Sequence, residues 1–507
     1  MGIPSYFNFI LKHHPTIVKS LKTVHCDYLF VDANSLIYDC IHELKEVNSY
    51  DEVYSMVYNK MIALKEQLKP RNKTYFYFDG VPPYAKMVQQ RQRRFKSILT
   101  KQILQQETKS WNTNHITPGT DFMNGLDDYL IEKFKYNKTI VFSGSQEPME
   151  GEHKICDTIR SHSSIFKDKN IMIYGLDADL IMLGLLLQSE MFRIYLYKET
   201  KHFQYIHHIK ESEHYVFQMN RLSCEIQSLL NGVSIQQSVY DYIFICFLCG
   251  NDFLPHIPAI QIRNNGIQVL LEHYNNLKLH LIDVKTKNIM WNHVSKLFHS
   301  LRDKEDELIL ENINWKLKLK HKIKSTKTIE DKLNNLPCVD TEKEQYLRTH
   351  LDEYNKYILE TNDVRNHCLD YLKTLEWTWF YYNGDNINNR ISYEHHYGPR
   401  IQDILLYIPL FNGNEIVKRD KNITPIDPIT QLYFVLPYPN HSTVIPRDKY
   451  QMSHSFIYKH IPVLMEMNYP FFYTFYKFFW ESHLQLSKIN IDYLNSCIIH
   501  INKINNI

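Results

Sequence analysis

Seven carboxylates in the first half of the chain have the types and spacing for chemistry. Asp32 ends "LFVD" and Asp79 ends "YFYFD". Glu150 and Glu152 stand in "MEGEHK", Asp177 and Asp179 in "GLDADL", and Asp252 in "CGNDFLP". The two pairs have i, i+2 spacing, which in extended backbone puts both side chains on one face. Crowded carboxylates raise one another's pKa until some stay protonated, and divalent metal removes that conflict. Hard oxygen donors without paired Cys or His favour Mg²⁺, with Mn²⁺ able to substitute. Two such ions about 4 Å apart can activate a water and stabilise a leaving oxygen in phosphodiester cleavage. Each acid alone has a plainer reading, as a helix N-cap or turn residue. Strand after strand ending in acid is what outweighs it.

Beside Asp79 runs "AKMVQQRQRRFK" (85–96), with five cations and no acid; the acid-free stretch extends from Gly80 to Gln106. On a helix Lys86, Gln90, Arg93 and Arg94 share one face. Arg presents a planar fork to phosphate oxygens and Gln adds a neutral donor, so this face suits a terminal phosphate. A solvated basic helix or a nuclear-localisation signal is the plainer alternative.

The elements that must position these groups follow from the apolar pattern. Short apolar runs alternate with helical patterns over roughly the first 270 residues, which argues for an α/β fold with a mostly parallel sheet. Candidate strands are 28–32, 74–79, 139–144, 171–175 and 193–197. Three of them end at or just before an acid, and ligands of open α/β sheets bind outside the carboxyl ends of the strands. From about Asn275 to Glu344 the chain turns charged and polar and includes "KLKLKHKIKSTK" (316–327). That segment reads as a solvated helix in a variable insertion, with a basic RNA-facing role as the other possibility. An aromatic-rich block follows, with "LEWTWFYYNGD" and "YEHHYGPRIQDI". Residues 451–507 read as a helical cap.

The 507 residues carry a net charge of only +2, so nucleic-acid affinity must come from local patches. Nine scattered cysteines fit a reducing compartment, and Cys246 and Cys249 lie in an apolar run that favours burial over zinc or redox chemistry. The N-terminus has neither a signal-peptide layout nor a myristoylation pattern, and no apolar run is long enough for a bilayer. A soluble, intracellular protein without a membrane partner is expected.

In order and rough spacing, "MGIPSYFNFI", "VDANSLIYDC", "FDGVPPYAKMVQQRQRRF", "EGEHKI", "LDADLIML" and "GNDFLPHIP" resemble the Xrn-type 5′→3′ exoribonucleases, and "LEWTWFYYNG", "YEHHYGPRIQDI" and "QLYFVLPYPN" continue the likeness. The resemblance covers most of 1–270 and about 365–450. It implies a PIN/FEN-like nuclease core over 1–270, with a mostly parallel central sheet flanked by helices. A variable, charged, largely helical linker would occupy 271–345. A second, mainly helical and aromatic-rich region over 346–507 would close the channel.

It also implies two Mg²⁺ ions held by Asp32, Asp79, Glu150, Glu152, Asp177, Asp179 and Asp252, none of which is missing. The 5′-monophosphate pocket maps to Lys86, Gln90, Arg93 and Arg94, and would refuse caps and triphosphates. The base-stacking pair maps to Tyr38, where relatives usually have His, and Trp377, with Trp379 as neighbouring alternative. The activity implied is processive hydrolysis of single-stranded RNA from a 5′-monophosphate end, releasing nucleoside 5′-monophosphates, by a monomer in the cytoplasm, with the nucleus open. A flap-endonuclease-like DNA enzyme is one alternative, although no Gly-rich helix–hairpin–helix signature is present. A non-catalytic RNA-binding scaffold is the other, and the complete acid set speaks against it.

Overall fold

A computed structural model describes residues 3, 5–44, 46–104, 111–175, 177–198, 213–231, 234–319, 326, 328–338, 340–385, 387–410, 415–418, 425–474 and 476–505. A seven-stranded sheet organises the first half. Its strands are β1 (Val18–Ser20), β2 (Tyr28–Asp32), β3 (Thr74–Tyr77), β4 (Ile140–Ser143), β5 (Asn170–Tyr174), β6 (Arg193–Lys198) and β7 (Tyr215–Gln218). They lie in the order β1-β7-β6-β5-β2-β3-β4. Strands β2 to β6 pair in parallel, and β7 joins β6, and β1 joins β7, antiparallel. The five strands expected from the sequence are all present, so the mostly parallel sheet stands.

Alternation along the strands explains the layering. Phe30, Tyr75, Tyr77, Ile171 and Ile173 bury one face of the sheet, while Leu29, Val31, Phe76, Met172 and Tyr174 bury the other. Both faces are covered, which is why these strands read as continuous apolar runs rather than as alternating ones.

The helices that carry the site are α1 (Asn34–Glu43), α2 (Tyr84–Ile103), α3 (Gly151–Ser161), α4 (Asp179–Ser189), α5 (Ile235–Phe247), α6 (Arg365–Tyr382) and α7 (Ile491–Ile504). Cys246 and Cys249 are both buried free thiols, as the apolar run suggested.

The charged stretch after residue 275 is not a solvated insertion. In helix Trp291–Arg302 the residues Trp291, Val294, Leu297, Phe298 and Leu301 are buried, and Ile309 and Ile313 of the next helix join them in the core that covers one face of the sheet. Amphipathic spacing hid in a polar average. Within 316–327, residues 320–325 and 327 lie outside the described residues. Lys316 is buried and ion-paired with Glu344. No helix among the described residues is long and apolar enough to cross a membrane.

Candidate metal and phosphate site

The acids meet at the carboxyl rim of the parallel strands, where the strand order reverses between β2 and β5. Asp32 is the last residue of β2, and Asp79 follows β3 by two residues. Asp79 is fixed by Asn34, whose Nδ2 donates to Oδ2 at 2.6 Å, and by the Gly151 amide, which donates to Oδ1 at 2.7 Å. Glu150 sits at the N-cap position of α3 and Glu152 in its first turn, so this pair converges through a helix start and not through the extended backbone expected from its spacing. Lys154 ties α3 to the strand ends, donating to the carbonyls of Phe78 at 2.9 Å and Gly144 at 2.8 Å. Asp179 opens α4, with Asp177 exposed just before it. Gly250 has φ +84, and an added Cβ would lie 2.7 Å from the His256 amide nitrogen. The turn it permits presents Asp252, and Asn251 Oδ1 holds that turn by accepting from the Phe253 and Leu254 amides at 2.9 and 3.0 Å.

Lys86 lies inside this cluster rather than on an open phosphate-facing surface. Its Nζ is 2.8 Å from Glu150 Oε1 and 3.0 Å from Asp252 Oδ2, and the side chain is buried. Burial opposes its charge, but Glu150 and Asp252 outweigh burial and hold its pKa well above the ordinary lysine value. The same pairing keeps Glu150 and Asp252 below the usual carboxylate range despite their burial. Four acids not paired with Lys86 go the other way. Burial, then Asp79 and Asp177, push Asp32 well up, and burial, then Asp179, do the same to Glu152. Asp79 and Asp179 are each pushed up to about 6, by burial and then by Glu150 and Asp252 respectively.

The donor set fits divalent cations. Glu152 Oε2 is buried without a hydrogen-bond partner, and carboxylates held protonated by mutual repulsion are what a metal relieves. Glu150, Glu152 and His153 can bring ligand atoms within 4.8 Å of one another. Three residues at this site were not singled out from the sequence. Tyr381 donates to Glu150 Oε2 at 2.6 Å, Tyr382 is buried near enough to Asp179 to feel its charge, and His153 packs on Tyr381 with ring centroids 3.8 Å apart. His153 stood in "EGEHKI" and the tyrosines in "WTWFYYNG", but nothing local in those strings says which ring meets a carboxylate.

Along α2 the expected phosphate residues diverge. Arg93 is exposed and lies close enough to help depress Asp252. Gln90 Oε1 accepts from Gln431 Nε2 at 3.2 Å. Burial lowers the Arg94 pKa to about 10, and its Nη1 is buried with no partner. Arg91 is stacked 5.2 Å from both the Phe95 and Phe434 rings. Beside the rim a cavity of about 920 Å³ is lined by Asp252, Gln89, Gln92 and Arg93 and by residues of 466–489.

Tyr38 on α1 is 39% exposed, near enough to Arg94 to affect its titration. Trp377 offers no such surface, which corrects the stacking role expected for it. It is fully buried, stacked on Tyr381 at 4.9 Å, set edge-on to Phe253 at 5.2 Å, and its Nε1 donates to the Asn388 carbonyl at 2.9 Å. Trp379 is also fully buried, donating to the Lys287 carbonyl at 2.7 Å. Both are core residues here.

Fold and rim together define a class: an α/β protein whose carboxylate cluster, gathered around one lysine, has the donor set of a divalent-metal centre. The chain belongs to the Xrn-type 5′–3′ exoribonuclease family. The model described as XRN 5′-3′ exonuclease N-terminus matches residues 1–198, and the Xrn1 helical domain matches 233–341, between them more than half of the sequence. Among its relatives, the 5′-3′ exoribonuclease 1 of Homo sapiens is 28% identical over 530 residues, covering 86% of this chain and 30% of that protein. The 5′-3′ exoribonuclease 1 of Saccharomyces cerevisiae is 30% identical over 367 residues, covering 62% of this chain and 24% of the other. The chain thus spans less than a third of these relatives' length. Among solved structures, the catalytic core of Rad2 in complex with a DNA substrate aligns with TM-score 0.34 and 14% identity, covering 62% of this chain and 80% of the other.

Proposed function

We propose that the chain is a 5′→3′ exoribonuclease that hydrolyses single-stranded RNA from a 5′-monophosphate end and releases nucleoside 5′-monophosphates. The observation that carries this is the convergence of seven carboxylates on one rim beside a helix that ends the cluster in cations. Asp32, Asp79, Glu150, Glu152, Asp177, Asp179 and Asp252 are the residues that would hold two divalent ions, Mg²⁺ by the hardness of their oxygens. Once bound, such ions supply an activated water and charge stabilisation for phosphodiester hydrolysis.

The protein's own groups do the rest. Lys86 holds Glu150 and Asp252 ionised and in place. Arg93 and Arg94 bind the 5′-phosphate, with Gln90 beside them; the unpaired buried N–H of Arg94 is the donor that a phosphate oxygen would satisfy. Tyr38 stacks the leading base. Hydrolysis leaves another 5′-phosphate on the shortened strand, so the same residues can bind it again, which favours processive action by a monomer.

One labelled oligonucleotide tests this, as RNA and as DNA, with a 5′-monophosphate or 5′-triphosphate, in Mg²⁺ or EDTA. Mononucleotide release from 5′-monophosphate RNA, dependent on Mg²⁺, is the expected result. Cuts confined to DNA flaps would move the assignment to a flap endonuclease, and absence of cleavage to an RNA-binding scaffold.

A further inference from the structure

Residues within 466–474 and 476–488 line the cavity that Asp252 also lines, and they lie beyond both matched family regions. They are fastened to α2 through their backbone. Gln92 donates to the Leu484 carbonyl at 2.8 Å and accepts from its amide at 3.0 Å. Lys96 Nζ donates to the carbonyls of Phe479 and, at 2.6 Å, Ser482. Arg91 donates to the Ser487 carbonyl at 2.8 Å. Arg91 and Lys96 therefore hold protein at the cavity's edge, and Arg93 lines the same cavity.

This fastening presents an aromatic ring. Trp480 is 38% exposed and lines the cavity that Asp252 and Arg93 also line. Arg263, ion-paired with Glu481 and also lining the cavity, packs over the Trp480 ring at 5.7 Å. Lys477 Nζ lies 4.6 Å from the ring of Trp315, another residue of the cavity lining. A single exposed tryptophan on a surface needs no explanation. An indole held by a guanidinium, inside a cavity that begins at the carboxylate cluster and carries cations along its wall, matches the chemistry that binds a single nucleic-acid strand, with bases on rings and phosphates beside cations.

We infer that these residues of 466–474 and 476–488 are a wall of the strand-binding passage and that Trp480 stacks a base of the RNA downstream of the cleaved end. This rests on the exoribonuclease reading. A strand too short to reach past the Asp252 turn does not contact Trp480, so the contribution must depend on length. Binding of 3′-labelled, 5′-monophosphorylated oligouridylates, a dinucleotide and a strand of about ten nucleotides, is measured by fluorescence anisotropy with Ca²⁺ in place of Mg²⁺. The parent protein is compared with Trp480→Leu, which keeps apolar bulk, and Trp480→Phe, which keeps a π-face. The expected result is a loss of about 5- to 150-fold for the long strand in Trp480→Leu, no change for the dinucleotide, and recovery of most of the loss in Trp480→Phe. If the parent prefers the long strand and Trp480→Leu binds it equally well, the role of Trp480 is overturned and the exoribonuclease reading stands. If the parent binds neither RNA, both fall.

Discussion

Lys86 holds two carboxylates of the rim ionised. It pairs with Glu150 and Asp252, whereas Asp32 and Glu152, not paired with it, are pushed toward the protonated form by burial and by neighbouring acids. Removing one partner of a buried ion pair leaves an uncompensated charge, at about 3–5 kcal/mol. Lys86→Met is therefore expected to lose about that much in urea denaturation in EDTA, with Mg²⁺ restoring part of it; a variant as stable as the parent in EDTA would contradict this account. Metal binding should also be coupled to protons. Asp79 and Asp179 titrate at about 6 in the folded protein, against roughly 3.9 in an unfolded chain. Between those values the folded state binds more protons, so their contribution to metal-free stability falls as pH rises through 6. The buried His153, held at about 4 mainly by burial, pulls the opposite way, because it keeps the folded state short of protons below its ordinary value. The informative quantity is thus the gain in Tm on adding Mg²⁺. That gain should grow from pH 5 to pH 7.5, since metal competes with protons for the same oxygens. A gain independent of pH would mean that the carboxylates are already ionised without metal.

At the scale of elements, the start of α3 is where the site is assembled most tightly. The Gly151 amide holds Asp79, and a Cβ at that position would lie 2.9 Å from Asp32 Oδ1 and 3.0 Å from the Tyr77 carbonyl. Gly151→Ala should cost about 1–3 kcal/mol as overpacking and should reduce the Mg²⁺-induced rise in Tm, because the Asp32 carboxylate must move. A variant that keeps the parent's metal response would show that the rim is more adaptable than its contacts suggest. The central strands were legible in the sequence because burial on both faces leaves unbroken apolar runs, and their terminal acids were legible with them. Strands β1 and β7 were not. Val18–Ser20 and Tyr215–Gln218 are three and four residues long and pair with each other across most of the domain, which no local pattern announces. The tyrosines were hidden for the same reason, since Tyr381 meets Glu150 from 231 residues away. Trp377 shows the converse. An aromatic-rich string gives no sign of which ring turns inward, and in α6 this one does.

Across the whole molecule, α2 is the joint between two bodies of apolar packing. One runs from Ile3 to Val417 and unites a face of the sheet with α5, helix Trp291–Arg302 and α6. The other gathers Ile426 to Ile501, including helix Pro428–Val435 and α7, around Tyr84 and Met87 of α2. Packing units of this kind open with separate free energies, and the smaller body has fewer buried side chains to hold it. Native-state hydrogen exchange in rising urea should therefore release Pro428–Val435 and α7 together, at lower denaturant than β2 and β5. Met87→Ala sharpens the test. Met87 is fully buried, and truncating such a side chain costs about 2–5 kcal/mol. The loss should appear as weaker protection in 428–435 and 491–504 while β2 and β5 keep theirs. Equal losses in all four elements would show that the chain opens as one unit. The division has a chemical consequence. The outer wall of the cavity, including Trp480, is fastened to α2, whereas Asp32, Asp79, Asp177 and Asp179 stand on the sheet side. Opening of the C-terminal body should not disperse those carboxylates, so Mg²⁺ should raise the protection of β2 and β5 far more than that of α7.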